Sequence, residues 1–241
     1  MVIYNYSMQA VILVGGLGTR LGPLTAQMPK CMVLVNGKPF LFYLLELLKS
    51  NNISDIILCT GYLGEQVSDY FGDGKEFGVS IRYSRETEKL LGTAGAIKKA
   101  EMMLADHFFT INGDTYLPID YVNLENYYHS YGDRDVMVVY RNEKDTGVRS
   151  NVKLADGLAI CQYAKGVDDP DLEYVDAGVL VLNRGILATI DQEVPCSLEE
   201  AVYQPLINSR EMIACVTRTR FYDIGTPEQL NTFADFLKRH A

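Results

Sequence analysis

Glycines crowd the end of an apolar run in Ala10-Val11-Ile12-Leu13-Val14-Gly15-Gly16-Leu17-Gly18-Thr19-Arg20-Leu21, and Pro29-Lys30 follows shortly after. Residues of these types in this order can hold phosphate. Glycine lets backbone N–H groups approach an anion closely, while Arg20 and Lys30 place fixed positive charge beside the cradle. The spacing differs from that of two other phosphate loops. A Gly-x-x-x-x-Gly-Lys-Ser/Thr loop needs a lysine directly after its last glycine, which is absent here. A Gly-x-Gly-x-x-Gly loop needs glycine where Leu21 stands, and Gly22 comes one place late. Asn112-Gly113-Asp114 is a second candidate, because it ends a strand-like run on a carboxylate. Ligands of open parallel sheets bind at the carboxyl ends of strands.

These groups need elements to aim them. The Val-, Ile- and Leu-rich run at residues 9–14 suits a strand buried on both faces. A short extended piece over 32–35 and a turn at 36–39 lead to a leucine-rich helix over 40–50, stopped by Asn51-Asn52. Strands follow at 55–59, 79–83 and 108–112, separated by helices at 64–71 and 94–104, the latter with Thr93 as N-cap. This alternation is the α/β pattern. Beyond residue 114 strands dominate, at 136–140, 151–154, 158–163, 174–182 and 212–216, with Asp156-Gly157 as a hairpin turn. Tyr127-Tyr128-His129 belongs to a helix packed on the sheet. Thr226-Pro227-Glu228 opens a last helix that runs to about Arg239.

Composition narrows the function further. At 241 residues, 48% hydrophobic and 22% charged, the chain has ordinary globular values and suffices for one α/β domain with a full core. No stretch is long and apolar enough to span a bilayer: Phe40 to Leu48 is interrupted by Glu46 and too short. A net charge of −9 argues against a nucleic-acid binder and obliges any anionic substrate to find local positive charge. Cys31, Cys59, Cys161, Cys196 and Cys215 are odd in number, scattered and without a Cys-x-x-Cys pair, which points to reduced cytoplasmic thiols. His107, His129 and His240 show no metal-ligand spacing and are expected to be structural or exposed. The first residues lack the basic head and apolar core of a signal peptide, and Met8 is an alternative start.

The glycine loop with Pro29-Lys30 resembles the signature of sugar-1-phosphate nucleotidyltransferases, whose usual form continues Pro-Lys-Pro-Met; here it reads Pro29-Lys30-Cys31-Met32. Asn112-Gly113-Asp114 resembles the family's metal-binding aspartate, Asp223-Ile224-Gly225-Thr226-Pro227 its second metal aspartate, and Leu91-Gly92-Thr93-Ala94-Gly95-Ala96 its base-binding segment. The resemblance runs in order from about Met8 to the end of the chain. It implies a Rossmann-like three-layer α/β sandwich with a mixed, mostly parallel sheet, forming one domain over 1–241. A nucleotide-binding half would span about 8–114 and a sugar-phosphate-binding half about 115–241. It further implies nucleotide contacts at Leu13, Gly15, Gly16, Leu17, Gly18, Thr19, Arg20, Gly92 and Thr93, and a magnesium ion on Asp114 and Asp223. Asn112, Lys165 and Asp176 would meet the sugar phosphate. Two of those places depart from the family, with Ala164 before Lys165 where relatives carry Glu-Lys, and Asp176 where they often carry Asn.

The chemistry so implied is in-line attack of a sugar 1-phosphate on the α-phosphorus of a nucleoside triphosphate, with Arg20, Lys30, Asp114 and Asp223 as the catalytic set. A phosphate monoester has its second pKa near ~6, so the attacking oxygen is anionic at neutral pH and needs no general base. Gly15-Gly16 and the short chain most resemble guanylyltransferases acting on mannose- or heptose-type sugars. Uridylyl, cytidylyl or thymidylyl transfer, a non-catalytic nucleotide-sugar-binding regulator and a dinucleotide-binding oxidoreductase are the alternatives. The expected partners are these two small substrates, with no nucleic acid or membrane, in a monomer or homodimer.

Overall fold

Ala10 and Ile12 turn to one core and Val11 to another, so the first apolar run is covered on both faces. The computed structural model describes residues 8–18, 21–22, 25–142, 146–192 and 194–240. Its elements are β1 (Gln9–Leu13), β2 (Leu34–Val35), β3 (Lys38–Pro39), α1 (Phe40–Ser50), β4 (Asp55–Thr60), α2 (Gly64–Phe71) and β5 (Ser80–Arg85). Then come α3 (Gly92–Lys99), β6 (His107–Asn112), β7 (Thr115–Tyr116), α4 (Tyr121–Ser130), β8 (Val136–Arg141), β9 (Val152–Leu154) and β10 (Ile160–Tyr163). The chain closes with β11 (Tyr174–Asn183), α5 (Gln204–Asn208), β12 (Ile213–Thr217), β13 (Tyr222–Asp223) and α6 (Pro227–His240).

A nine-stranded sheet runs β5-β4-β1-β6-β11, then β8 and β12, while the β9–β10 hairpin pairs the start of β11 at Tyr174. β1, β4, β5, β6, β8, β9 and β12 point one way; β10 and β11 run against them. The sheet is therefore mixed and mostly parallel. The same alternation places Ile56 and Leu58 on one face and Ile57 and Cys59 on the other. One face packs on Leu41, Leu44, Val67, Tyr121 and Tyr128 from α1, α2 and α4. The opposite face packs on Ala94, Ile97, Val202 and Leu206. Three layers result. A third, smaller cluster binds α6 to α1, where Phe233 meets Phe40 edge-on at 5.1 Å and Ile224 is fully buried.

Two expectations need correction. The helix expected over 94–104 starts at Gly92 and ends at Lys99, with a separate 3₁₀ turn at Glu101–Met103. Thr93 is not its cap, since Leu91 holds that position without a side-chain hydrogen bond. The first-turn N–H groups instead find a carbonyl from another part of the chain, with Ala94 N donating to Cys196 O at 3.1 Å. The hydroxyl of Thr93 turns outward from the helix and accepts from Leu198 N at 2.8 Å. A helical stretch was also not foreseen at 199–208, where the π-turn Glu199–Tyr203 leads into α5. Pro205, in the first turn of α5, has no N–H to give to the preceding turn, and the wider π-turn lies directly before it.

Candidate active site

β1 is the switch point of the sheet, because the chain leaves it toward β4 and β5 on one side and returns to β6 on the other. Crevices form at such points, beyond the carboxyl ends of the strands. Leu13 pairs with both Cys59 and Asn112 in register, so the three strand ends open onto one edge. A cavity of about 410 Å³ lies there. From the glycine loop it is lined by Leu13, Val14, Gly15, Gly16 and Gly18, and from the 3₁₀ turn Lys30–Met32, just before β2, by Lys30 and Cys31. Gly92 and Thr93 line it from α3, and Asn112, Gly113 and Asp114 from the end of β6. Lys165 and Asp176 close it from the second half of the chain. Sequence-predicted nucleotide and sugar-phosphate residues thus share a single cavity.

Two expected members, Leu17 and Asp223, stand apart from it, and two more fall on residues that are not described. Leu17 does not line the cavity and is half exposed. Thr19 and Arg20 lie outside the described residues. Asp223 is aligned with Thr115 in the β7–β13 pair, and Ile224 N donates to Asp114 O at 3.1 Å, so the backbone brings the two aspartates together. Its side chain, however, lines a neighbouring cavity of about 270 Å³. There its carboxylate accepts from Gly225 N at 2.7 Å and Gln229 Nε2 at 3.0 Å.

Charge is arranged as opposed pairs. Lys30 Nζ lies 2.6 Å from Asp114 Oδ2, with the lysine side chain only 12% exposed, so this cation is held in place rather than swinging in solvent. Lys165 Nζ meets Glu199 Oε1 at 3.1 Å and is largely exposed, a looser pair at the cavity mouth. Asp176 is set by the backbone of β11, whose register against β8 breaks between Asp176 and Leu180. Gly178, at φ +73, makes that irregularity possible, and a side chain on it would strike Thr115 Oγ1 at 2.9 Å. Asp176 Oδ1 accepts from Gly178 N at 2.8 Å, and Tyr203 Oη donates to its other oxygen at 3.3 Å. Loss of water, reinforced by nearby Glu199, pushes the Asp176 carboxyl up to about 6.

Residues with no sequence motif complete the walls. Glu86 follows the last residue of β5 and faces Gly15, where an added side chain would meet its Oε2 at 3.0 Å. Its Oε1 accepts from Leu91 N at 2.6 Å, and burial raises its pKa, opposed by that hydrogen bond and by Lys99. The strand-end rule that singled out Asp114 applies equally to Glu86 and could have found it. Tyr163 and Tyr203 meet edge-on at 4.9 Å beside Asp176. Nothing local marked them, because hairpin pairing and the π-turn bring them together. Cys31 and Cys59 also face the cavity, and burial pushes both thiols up to about 12, which leaves them protonated.

A crevice of this kind, built on glycine loop, lysine and strand-end carboxylates at the switch of a doubly wound sheet, defines an α/β protein that handles nucleotide phosphates. Residues 9–240 match the nucleotidyl transferase family, and the chain belongs to that family. It is 32% identical over 227 residues to a D-glycero-alpha-D-manno-heptose 1-phosphate guanylyltransferase of Campylobacter jejuni, covering 94% of this chain and 98% of that one. A protein of the same description from Aneurinibacillus thermoaerophilus is 32% identical over 222 residues, covering 92% and 94% of the two chains. The crystal structure of HddC from Yersinia pseudotuberculosis complexed with GMP-PN matches with a TM-score of 0.77 at 29% identity, over 95% of this chain and 99% of that one. With these relatives the chain is a sugar-1-phosphate nucleotidyltransferase. Among the described residues no helix is long and apolar enough to cross a membrane.

Proposed function

We propose that the protein condenses GTP with a mannose- or heptose-type sugar 1-phosphate, giving a nucleotide sugar and pyrophosphate. The observation that carries this reading is the single cavity that joins the glycine loop, Lys30 and Asp114 to Lys165 and Asp176. Two anionic substrates need a shared chamber with a cation for each. Guanine is the base whose Watson–Crick edge offers adjacent ring and exocyclic N–H donors, and the Glu86 carboxylate beside Gly15 is an acceptor suited to them. The guanylyltransferase relatives agree with that choice.

In this scheme a sugar-phosphate oxygen forms a bond to the α-phosphorus while the bond from that phosphorus to the bridging oxygen breaks. The departing electron pair leaves on pyrophosphate. Glycine-loop N–H groups cradle the triphosphate, Lys30 and Arg20 neutralise it, and Lys165 exchanges Glu199 for the second phosphate. Asp176 and Tyr203 hold sugar hydroxyls, and Asn112 stands between the two substrates. The principal contribution is to hold two anions in line and to stabilise charge on the leaving oxygens.

Asp114 and Asp223 offer the hard oxygen donors that magnesium prefers, on backbone brought together by the β7–β13 pair; to share an ion, the Asp223 carboxylate would turn from the neighbouring cavity toward Asp114. Magnesium bound there would neutralise phosphate oxygens and orient them. We assign the reaction to the cytoplasm and the active species to a monomer or homodimer. The test is a grid of nucleoside triphosphates against sugar 1-phosphates, with magnesium, read by pyrophosphate release. GTP with a mannose- or heptose-type substrate should give the highest rate. No release from any pair would overturn the catalytic reading, and a preference for UTP, CTP or dTTP would overturn the base.

A further inference from the structure

At the other end of the parallel strands, His107, Glu125 and His129 each offer a ligand atom, and all of these atoms lie within 4.8 Å of one another. His107 begins β6 and the cavity-lining Asn112 ends it, so at ~3.3 Å per residue this cluster stands roughly 17 Å from the substrate site. Glu125 and His129 are one turn apart on the same face of α4. The two imidazoles meet edge-on, with ring centres 5.2 Å apart. Buried Phe108 and Tyr128, the neighbours of these histidines in sequence, fix the backbone on both sides.

The local chemistry favours a cation. His129 Nδ1 lies 2.7 Å from Asp133 Oδ1, so an ionised Asp133 keeps the proton on Nδ1 and the lone pair on Nε2. Metal-bound histidines are commonly oriented by a carboxylate in this way. Glu125 faces His129 and also accepts a backbone hydrogen bond from Met8.

We propose that His107, Glu125 and His129 form a second metal site, for Zn²⁺ or a similar borderline cation such as Co²⁺. Two imidazoles and one carboxylate suit those ions and not magnesium, whose preference is all-oxygen. Bonds of about 2.1 Å in a tetrahedron place ligand atoms roughly 3.4 Å apart, so the three side chains would draw together on binding. Water fills the fourth position. The ion would tie α4 to the start of β6 and so stiffen the end of the sheet away from the substrates.

Cobalt titration of metal-free protein, without nucleotide and read by visible absorption, tests the site. The wild type should bind one equivalent with a d–d band, and His129→Ala and Glu125→Gln should each lose about tenfold or more in affinity. Asp114→Asn and Cys161→Ser should keep the band, which separates this site from the substrate cavity and from the exposed thiol. Zn²⁺ should raise the melting temperature of wild type and Asp114→Asn but not of His129→Ala. Cobalt affinity unchanged in both His129→Ala and Glu125→Gln would overturn the proposal. So would loss of the band in Asp114→Asn or Cys161→Ser, or no band in the wild type at millimolar cobalt.

Discussion

Lys30 and Glu86 mark the two ends of what a single side chain can decide in this cavity. Lys30 is half-buried against Asp114, so its charge is already in place before a triphosphate arrives. Lys30→Ala should lower kcat/KM by roughly 10²–10³, the scale of a lost preorganised donor, while circular dichroism stays native. Wild-type turnover in the folded variant would remove Lys30 from the mechanism. In the proposed scheme Glu86 acts on selectivity instead. In Glu86→Gln one acceptor oxygen becomes a donor, and the GTP preference over other nucleotides should fall by roughly 10–100-fold, about 1–3 kcal/mol of discrimination. Steady-state competition between GTP and UTP measures it. Asp223→Asn should nearly abolish pyrophosphate release, and chelation of the wild type should do the same, with recovery on adding magnesium.

At the scale of elements, legibility followed the range of the interactions involved. The ends of α1, α2 and β4 were readable because their apolar periodicity and stop signals are local, as with Asn51 after α1. The start of α3 was misread for the opposite reason. Thr93 has the residue type of a cap, but Cys196 O arrives from a distant segment and takes the helix N–H groups. Gly92 sits at φ +75, and a side chain there would come within 2.4 Å of that carbonyl. Gly92→Ala should therefore cost about 2 kcal/mol or more and lower the melting temperature by at least ~4 °C. Asp135, just before β8, offers a pH test. Its buried carboxylate accepts from Asn183 N at 2.7 Å and is pushed up to about 6, mainly by loss of water, with Glu211 adding to the rise. A raised carboxyl pKa means that the folded state holds its proton more tightly than the unfolded chain. That contribution to stability is full below the ordinary value of 3.8 and is lost as pH rises through about 6. Asp135→Asn keeps an acceptor without the charge. It should match the wild type near pH 4 and exceed it at pH 8 by on the order of 2 kcal/mol, read from melting temperature against pH.

For the whole molecule, the mixed sheet joins both halves of the chain through β6 and β11, which pair over five residues from Val179 to Asn183. One cooperative unfolding transition should follow, with a calorimetric enthalpy near 170 kcal/mol from about 0.7 kcal/mol per residue. Two separated transitions would show that the halves melt independently. Net charge −9 leaves the fixed cations of the cavity to attract both substrates. The fastening around Cys196 ties the halves together at the site itself. Cys196 N donates to Leu91 O at 2.8 Å while Leu198 N donates to Thr93, so the strip leading to Glu199 is stitched to the strip that follows Glu86. If Glu86 and the Lys165–Glu199 pair act as proposed, base choice and sugar choice would be coupled through this fastening. A graft of residues 86–95 from a relative with another nucleotide preference would need residues 194–199 from the same donor, and lineages that changed one substrate would be expected to have altered both strips together.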